Sequence, residues 1–124
     1  MTYLLPCCIF VHLNPKSDGM HITPDKALGF LKESDETFKS LFEHGSLQVE
    51  IYKPDGIDLQ TPHERDEVYV VISGKGEFIN GEDRVSFGPG DFLFVPAGVE
   101  HRFVNFTDDF STWVIFYGPQ GGES

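Results

Sequence analysis

Long apolar runs are missing from this sequence. No stretch approaches the roughly 20 consecutive apolar residues that a membrane-spanning helix needs. The apolar start MTYLLPCCIFVHL also lacks the basic region of a signal peptide, because no lysine or arginine precedes Lys16. We therefore expect a cytoplasmic protein that has no membrane partner.

Cysteine is scarce as well. The two cysteines, Cys7 and Cys8, are adjacent, so they cannot join distant parts of the fold by a disulfide bond. Free thiols in a reducing compartment are the simplest interpretation, and buried strand positions are favoured over a metal-binding role for them.

Basic residues are outnumbered by acids. Nine lysines and arginines stand against 20 aspartates and glutamates, which gives a formal net charge of −11. Such a chain repels phosphate backbones, so nucleic acid is excluded as an expected partner. What the chain does have is 124 residues with 40% hydrophobic content and 12 phenylalanines, enough for one domain with a real core.

The first 45 residues are predicted to form N-terminal strands and one short helix that packs on a barrel. The runs CIFVHL and MHIT are typical of short strands, separated by the turn NPKSDG. Ser34 is a suitable N-cap for a helix over DETFKSLF, and Gly45 would end it. The buried face of that helix would consist of Phe38, Leu41 and Phe42.

Residues 46–118 are predicted to form the barrel itself. Seven runs rich in Val, Ile, Phe or Tyr end at Gly, Pro, Asn or Asp: SLQVEIYK, EVYVVISG, GEFIN, RVSF, DFLFVP, EHRFVNF and STWVIFYG. In the first run, Leu47, Val49 and Ile51 alternate with polar residues. Asn80-Gly81 indicates a type I′ hairpin. Closely spaced strands without intervening helices predict an all-β, antiparallel sandwich or barrel, and only the tail GPQGGES is expected to fray.

Two of the five histidines stand out from the others. We assign His12, His21 and His44 no special role, because a lone histidine is usually structural or solvated. His63 and His101 each lie at a strand end beside a turn-forming proline or glycine.

Two sequence motifs contain these histidines. The pattern G-x5-P-x-G-x2-H-x3-N is matched at Gly90, Pro96, Gly98, His101 and Asn105. In the pattern G-x5-H-x-H-x3-4-E-x6-G, the later positions are matched at His63, Glu67 and Gly74, whereas Thr61 replaces the first histidine and Gly56 is one residue out of register. Through these motifs the sequence resembles the cupin superfamily, over roughly residues 47 to 117.

The resemblance implies a jelly-roll barrel (a double-stranded β-helix) that holds a divalent metal ion. Carried over residue by residue, the ligands would be His63, Glu67 and His101, and the metal would be Fe, Zn, Mn or Ni. The resemblance also implies a homodimer, to which the apolar run CIFVHL could contribute an edge strand.

The residue types themselves agree with a three-ligand site. Two imidazoles and one carboxylate form the set that holds Fe(II) with open positions, and the same set suits Zn²⁺ with one open position. A threonine hydroxyl such as that of Thr61 is a poor ligand. The amide oxygen of Gln60 is an alternative fourth donor, although strict alternation points it away unless a bulge forms at Pro62.

Further residues are expected to line the pocket. Tyr69 has the parity of Glu67, whereas Phe103 and Asn105 have the parity of His101. Asp66 is expected to be a solvated acid in a turn.

Two functional hypotheses follow. The first is a metal-dependent dioxygenase or isomerase acting on a small organic molecule, with Fe(II), Zn²⁺ or Mn²⁺ at its centre. The alternative is a non-catalytic module that binds a small ligand in the barrel, because one architecture hosts many chemistries.

Overall fold

Eight antiparallel strands in two sheets form the framework of the part of the chain that the structure describes. The computed structural model describes residues 20–124, in which one helix, α1 (Pro24–Ser34), precedes all the strands. The strands are β1 (Phe38–His44), β2 (Leu47–Tyr52), β3 (Asp66–Ser73), β4 (Gly76–Asn80), β5 (Asp83–Phe87), β6 (Phe92–Val95), β7 (His101–Val104) and β8 (Ser111–Tyr117). One sheet has the order β1-β2-β8-β3-β6 and the other has the order β5-β4-β7. The predicted all-β, antiparallel fold with a short helix is confirmed.

Helix α1 lies earlier in the chain than we predicted. Its N-cap is Thr23, whose hydroxyl accepts a hydrogen bond from the backbone N–H of Lys26 at 3.1 Å, and Pro24 follows at the first helical position. The helix ends at Asp35, whose φ of +62° is left-handed. The prediction of a strand over MHIT was therefore wrong, because its last residue is this cap.

The segment predicted to be helical forms β1 instead. Its backbone pairs with β2 from Phe38 opposite Tyr52 to His44 opposite Leu47, and Gly45 lies in the turn between them. The register shifts between Ser40 and Phe42, so this strand is irregular. Pairing with β2 outweighs the helical spacing of the apolar residues, because strand preference depends strongly on tertiary context.

The turn between β4 and β5 also differs in detail from the prediction. Asn80 is the last paired residue of β4 and lies opposite Asp83, so Gly81 and Glu82 are the central residues of the turn. Gly81 has a φ of +63°, whereas neither Asn80 nor Glu82 has a positive φ. A positive φ at the first central position alone is typical of type II′, so the hairpin is confirmed and its predicted type I′ turn was wrong.

Two apolar clusters stabilise the fold. The larger one is rich in aromatic residues and contains Tyr52, Tyr69, Val71, Phe78, Phe87, Val95, Phe103, Phe110, Val114 and Phe116. The smaller one lies beneath α1 and contains Ala27, Leu31, Leu41 and Ile51. The helix therefore covers the outer side of the five-stranded sheet, while the aromatic cluster fills the barrel.

Some predictions concern residues that the structure does not describe. The strand CIFVHL and the thiols of Cys7 and Cys8 lie outside residues 20–124. The division of the chain into residues 1–45 and 46–118 stays a prediction, and its boundary coincides with the β1–β2 turn. Within the described part of the chain, no helix is long and apolar enough to cross a membrane.

Candidate metal centre

The candidate ligands come from three different parts of the fold. Glu67 lies on β3 in the five-stranded sheet, and His101 is the first residue of β7 in the three-stranded sheet. His63 lies in the loop that connects β2 with β3. The structure therefore brings together, between the two sheets, groups that are remote in the sequence.

The turn before β7 aims His101 into the barrel. Gly98 has a φ of +82° in this turn, and its N–H donates to the carbonyl of His63 at 2.7 Å. The carboxylate of Asp66 accepts hydrogen bonds from the backbone N–H groups of Ala97 at 2.9 Å and Glu123 at 2.8 Å. Asp66 is 5% exposed, so our expectation of a solvated turn acid was wrong. Its carboxylate instead holds this turn against the start of β3.

The three ligand groups have the separations that a metal site requires. His101 Nε2 lies 3.1 Å from Glu67 Oε1, and His63 Nε2 lies 3.7 Å from the same oxygen. One potential ligand atom from each residue lies within 4.8 Å of the others. Two donors that are each about 2.1 Å from one ion stand about 3.0 Å apart at a right angle and about 3.4 Å apart at a tetrahedral angle. The separations of 3.1 and 3.7 Å from Glu67 Oε1 are close to those values.

The ring orientation of His101 is set by a backbone carbonyl. Its Nδ1 lies 2.9 Å from the carbonyl oxygen of Val99. A carbonyl oxygen can only accept a hydrogen bond, so Nδ1 carries the proton. In the neutral imidazole the other nitrogen, Nε2, then keeps its lone pair and faces Glu67. This is the arrangement in which metal-bound histidines are usually held.

Three buried atoms at this point have no hydrogen-bond partner among residues 20–124. They are Nε2 of His101 and both carboxylate oxygens of Glu67, a side chain that is 1% exposed. Buried polar groups left without partners are costly and call for an explanation. A proton on His101 would satisfy one of the carboxylate oxygens and leave the other alone. A divalent cation between the groups would satisfy all three atoms, so the donor set fits a metal ion.

Burial and the carboxylate act on the two histidines in different ways. Burial lowers the pKa of His63, and this effect outweighs the attraction of Glu67, so the neutral form that can bind a metal is favoured. Burial also lowers the pKa of His101, but Glu67 and the Val99 carbonyl raise it by more, and the net shift is upward. The negative charge of Glu67 thus attracts a cation to the site, whether a proton or a metal ion.

Gln60 directs its amide oxygen towards the same point. Its Nε2 donates to Asp58 Oδ2 at 3.0 Å, which fixes which end of the amide faces inward. The oxygen, Oε1, accepts the hydroxyl hydrogen of Tyr69 at 2.8 Å and lies 3.4 Å from His63 Nε2. The loop around Pro62 is not a regular strand, so strict alternation does not apply there.

Comparison with known proteins assigns the family. A family model described as the Cupin domain matches residues 48–117, which is more than half of the chain. The chain is a cupin. A curated relative, an uncharacterized protein of Streptomyces coelicolor, is 32% identical over 89 residues, which cover 70% of this chain and 85% of the relative.

Solved cupin structures have a similar fold. A Cupin 2 conserved barrel domain protein from Salinispora arenicola is 20% identical with a TM-score of 0.56, over 65% of this chain and 74% of that one. KdgF from Halomonas sp. is 20% identical with a TM-score of 0.58, over 67% and 80% of the two chains. The DMSP lyase DddQ from Ruegeria pomeroyi is 27% identical with a TM-score of 0.55, over 65% of this chain but only 46% of the lyase. Together with the two antiparallel sheets, these similarities confirm the expected jelly-roll barrel.

The remaining predicted pocket residues of this cupin have different environments. Thr61 is exposed and lines the same cavity as His63. Tyr69 is fully buried and reaches the site through its hydroxyl, whereas Phe103 packs against the Tyr69 ring at 4.8 Å within the core below. Asn105 is exposed, and its amide donates to Glu77 at 2.9 Å. Asn105 therefore does not line the pocket; β7 ends before it, and its φ of +52° breaks the alternation.

A cavity of about 550 Å³ opens beside two of the candidate ligands, His63 and Glu67. Its walls include His63, Glu67 and Gln60 from the site and Glu50 from β2, and its apolar surface includes Val114 and Phe116. A cavity of this size accommodates a small organic molecule.

Sequence reasoning missed two acids near the site. Asp58 is 1% exposed and holds Gln60, but nothing in the run GIDLQTPHE distinguishes it from an ordinary loop acid. Glu50 was placed only among the polar residues that alternate with Leu47, Val49 and Ile51 in β2. Only the pairing of β2 with β8 shows that this face of β2 forms part of the cavity wall.

Proposed function

We propose that this cupin binds one divalent metal ion through His63, Glu67 and His101, with the amide oxygen of Gln60 as a fourth donor. The observation that carries the proposal is that His101 Nε2 lies 3.1 Å from Glu67 Oε1, and that this nitrogen and both Glu67 oxygens are buried without hydrogen-bond partners among the described residues. Gln60 takes the place left by the threonine at the first histidine position of the motif. The hydroxyl of Tyr69 then stands as a second contact that orients Gln60.

We further propose that a small organic molecule binds in the adjoining cavity. Imidazole and carboxylate ligands suit Fe, Zn, Mn or Ni, and such an ion supplies a Lewis acid with open positions. The residues of this chain exclude water on one side through Val114 and Phe116, and they leave a cavity of about 550 Å³ on the other. The apolar wall and the polar end favour a small molecule with one oxygen-bearing end.

An enzymatic role, as a dioxygenase or an isomerase-like enzyme, is the first of two candidate functions. A lyase among the structures with a similar fold supports catalysis on this scaffold, although one fold carries many activities. The second candidate is a non-catalytic ligand-binding module, which the enclosed cavity alone would serve. Oxygen consumption and product formation with a panel of small substrates separate the two, because only the enzyme turns a substrate over.

Metal analysis of protein purified without chelators tests the site. We expect about one divalent ion per wild-type chain, and less than a tenth of that in His101→Ala, because removal of one ligand leaves an incomplete site. His44→Ala is the matched control, since His44 is an exposed histidine at the end of β1. Equal metal content in the His101 variant and the control would reject His101 as a ligand. A wild-type chain that binds no added Zn²⁺ or Fe²⁺ would reject the metal site altogether.

The homodimer and the cytoplasmic location expected from the sequence remain proposals. Two large apolar side chains on β6 support a protein contact, since Phe92 is 66% exposed and Phe94 is 41% exposed. Strand β6 is an edge of the five-stranded sheet, where an additional strand or subunit can pair.

A further inference from the structure

One acid of the cavity wall has no role in the metal site proposed above. Glu50 lies on β2 and lines the same cavity as His63 and Glu67. It pairs with Val114 of β8, and Val114 pairs in turn with Tyr69 of β3. Neighbouring strands are about 4.8 Å apart, so the backbone of Glu50 is about 10 Å across the sheet from that of Tyr69. Glu50 therefore lines the cavity of about 550 Å³ from a strand two places across the sheet from β3, which carries Glu67.

Glu50 lies among acidic rather than basic side chains in the described part of the cavity wall. Among the described residues that line the cavity, three are acids (Glu50, Asp55 and Glu67), and none is a lysine or an arginine. The Glu50 carboxylate accepts a hydrogen bond from the neutral amide of Gln48, whose Nε2 donates to Oε2 at 2.8 Å. An anionic ligand would meet repulsion from these acids, whereas an uncharged ligand that donates a hydrogen bond would not.

The pKa of Glu50 allows its carboxyl group to take up and release a proton near neutral pH. Burial is the main cause that raises its pKa to about 7, and the nearby carboxylates of Glu67 from β3 and Glu43 from β1 add to the effect. The hydrogen bond from Gln48 acts in the opposite direction. A metal ion at Glu67 would offset that residue's contribution but would leave the burial unchanged. Acid–base groups work best when their pKa lies near the working pH.

We propose that Glu50 is the acid–base residue of this cavity and that its ligand is an uncharged molecule bearing a hydroxyl group. The proposal rests on the proposed metal site, which would hold the ligand oxygen within reach of Glu50. In the step that we assign to Glu50, the O–H bond of the ligand breaks and its electron pair stays on the ligand oxygen. The proton forms a new O–H bond with the carboxylate of Glu50, and the same proton is returned when the ligand leaves or reacts.

Proton release on ligand binding tests this role. Acetohydroxamic acid serves as the probe, because it is small and uncharged and loses its hydroxyl proton when it binds a metal ion. Isothermal titration calorimetry of the zinc-loaded protein, in two buffers with different ionisation enthalpies, counts the protons released. A group with a pKa near 7 is about nine-tenths ionised at pH 8. We therefore expect Glu50→Gln to release about 0.9 proton more per bound probe than the wild type at pH 8.

The pH dependence and a control variant isolate Glu50. At pH 6 the carboxyl is already protonated in most wild-type molecules, so the difference between wild type and variant should fall to about a tenth of a proton. Glu82→Gln changes an exposed glutamate of the β4–β5 turn and should behave as the wild type does. Changes at metal-bound water affect all three proteins alike, so the comparison cancels them.

Each outcome either supports or overturns the proposal. Equal proton release from the wild type and Glu50→Gln at pH 8, with zinc and probe bound to both, would overturn the role of Glu50 and leave the metal site intact. Absence of zinc binding by the wild type would overturn the proposed function and this inference together. Zinc-loaded wild type that does not bind the probe would refute the ligand class. If Glu50→Gln does not fold, the carboxyl ¹³C resonance of Glu50 in the wild type replaces it: at pH 8 it should move to the protonated position when the probe binds, and an unmoved resonance would refute the proposal.

Discussion

Asp58 is 1% exposed, and its buried carboxylate accepts four hydrogen bonds from three residues. Oδ1 accepts the Tyr52 hydroxyl at 2.6 Å and the Gln60 N–H at 3.2 Å, and Oδ2 accepts the Gln60 amide at 3.0 Å and the Phe103 N–H at 2.8 Å. The carboxylate thereby joins β2, the loop after it and β7. It also fixes the amide of Gln60 with its oxygen towards the candidate metal site.

Replacing Asp58 should therefore destabilise the protein and loosen the site. In Asp58→Asn, one carboxylate oxygen becomes an NH₂ group, which cannot accept the hydrogen bonds that this oxygen accepted. We therefore expect the free energy of unfolding to fall by about 3 kcal/mol. Metal affinity should fall by roughly tenfold, because Gln60 is no longer oriented. Urea unfolding of the chelator-treated protein measures the first effect, and zinc titration measures the second.

Asp55→Asn is the matched control for this prediction. Asp55 lies in the same loop but is exposed, so its replacement should change the unfolding free energy by less than about 0.5 kcal/mol. If the two variants are equally stable, the four hydrogen bonds to Asp58 contribute little.

The raised pKa of Glu50 also predicts how the stability of the protein depends on pH. Its pKa is about 7 in the folded protein against 4.5 for the ordinary side chain, so the folded state holds the proton more tightly than the unfolded state does. The stability that this proton contributes is complete below pH 4.5 and is lost as pH rises towards 7, in total about 3 kcal/mol. The difference in unfolding free energy between Glu50→Gln and the wild type should therefore grow by about that amount from pH 4.5 to pH 8.

Urea titrations of the metal-free proteins at several pH values measure this difference. Glu82→Gln again serves as the exposed control, and its difference from the wild type should stay constant between pH 4.5 and pH 8. A difference that is also flat for Glu50→Gln would mean that Glu50 ionises freely in the folded protein.

The spacing of the motif residues could be recognised from the sequence, but the direction of the Gln60 side chain could not. His63, Glu67 and His101 are set by motif spacings that survive in the chain. Gln60 was judged by strand alternation, yet β2 ends at Tyr52 and β3 begins at Asp66. In such a loop the direction of each side chain is determined by long-range hydrogen bonds, here to Asp58, which leave no periodic pattern.

At the scale of elements, strands were predicted well because their signals are local. All seven predicted strands from residue 46 onward are present, since alternation and terminal Gly, Pro or Asn residues mark each one. The helix was misplaced because the apolar spacing in β1 also fits a helix, and only pairing with β2 decides between the two. The tail was also misjudged: Gly121 donates to the carbonyl of Glu64 at 2.6 Å, and Glu123 donates to Asp66.

The two faces of strand β2 contact different parts of the protein. Its apolar residues were predicted to share one face, and of these Ile51 is buried in the small cluster under α1. Glu50 and Tyr52 of the alternate face line the cavity inside the barrel. Because both faces of this strand are covered, polarity alone does not tell which of them is inside.

Two glycines of the motifs allow the tight turns between strands to be tested. Gly74, after β3, has a φ of +90°, and a Cβ added there would lie 2.4 Å from the Cα of Phe110. Gly98 has a φ of +82°, but an added Cβ would meet no atom within 4 Å. Gly74→Ala should therefore cost at least about 4 kcal/mol, from both strain and overlap, whereas Gly98→Ala should cost about 1–2 kcal/mol from strain alone.

Thermal and urea unfolding of the two alanine variants check this ranking. The substitution is the same and both positions have positive φ, so the difference isolates the contact with Phe110. Equal costs would show that the β8 side of the turn yields easily to an added methyl group.

At the scale of the whole molecule, the proposed metal ion would connect the two sheets. Glu67 belongs to the five-stranded sheet and His101 to the three-stranded sheet, and the hydrogen bond from Gly98 to the His63 carbonyl ties the loop to the same place. A ligand that binds only the folded state stabilises it in proportion to the logarithm of its concentration. Metal loading should therefore be visible as a change in the global unfolding transition.

Zinc at 100 times its dissociation constant should raise the free energy of unfolding by about 2.7 kcal/mol. For a chain of this length the increase corresponds to roughly 10 °C in the unfolding midpoint. Calorimetric scans of wild type, His101→Ala and His44→Ala, each with zinc and with a chelator, measure the shift. The wild type and the His44 variant should show the full shift and the His101 variant almost none, because the incomplete site of that variant binds zinc too weakly to be filled at this concentration. An equal shift in all three proteins would mean that the stabilising zinc binds elsewhere. It would also refute the connection of the two sheets by a metal ion at this site.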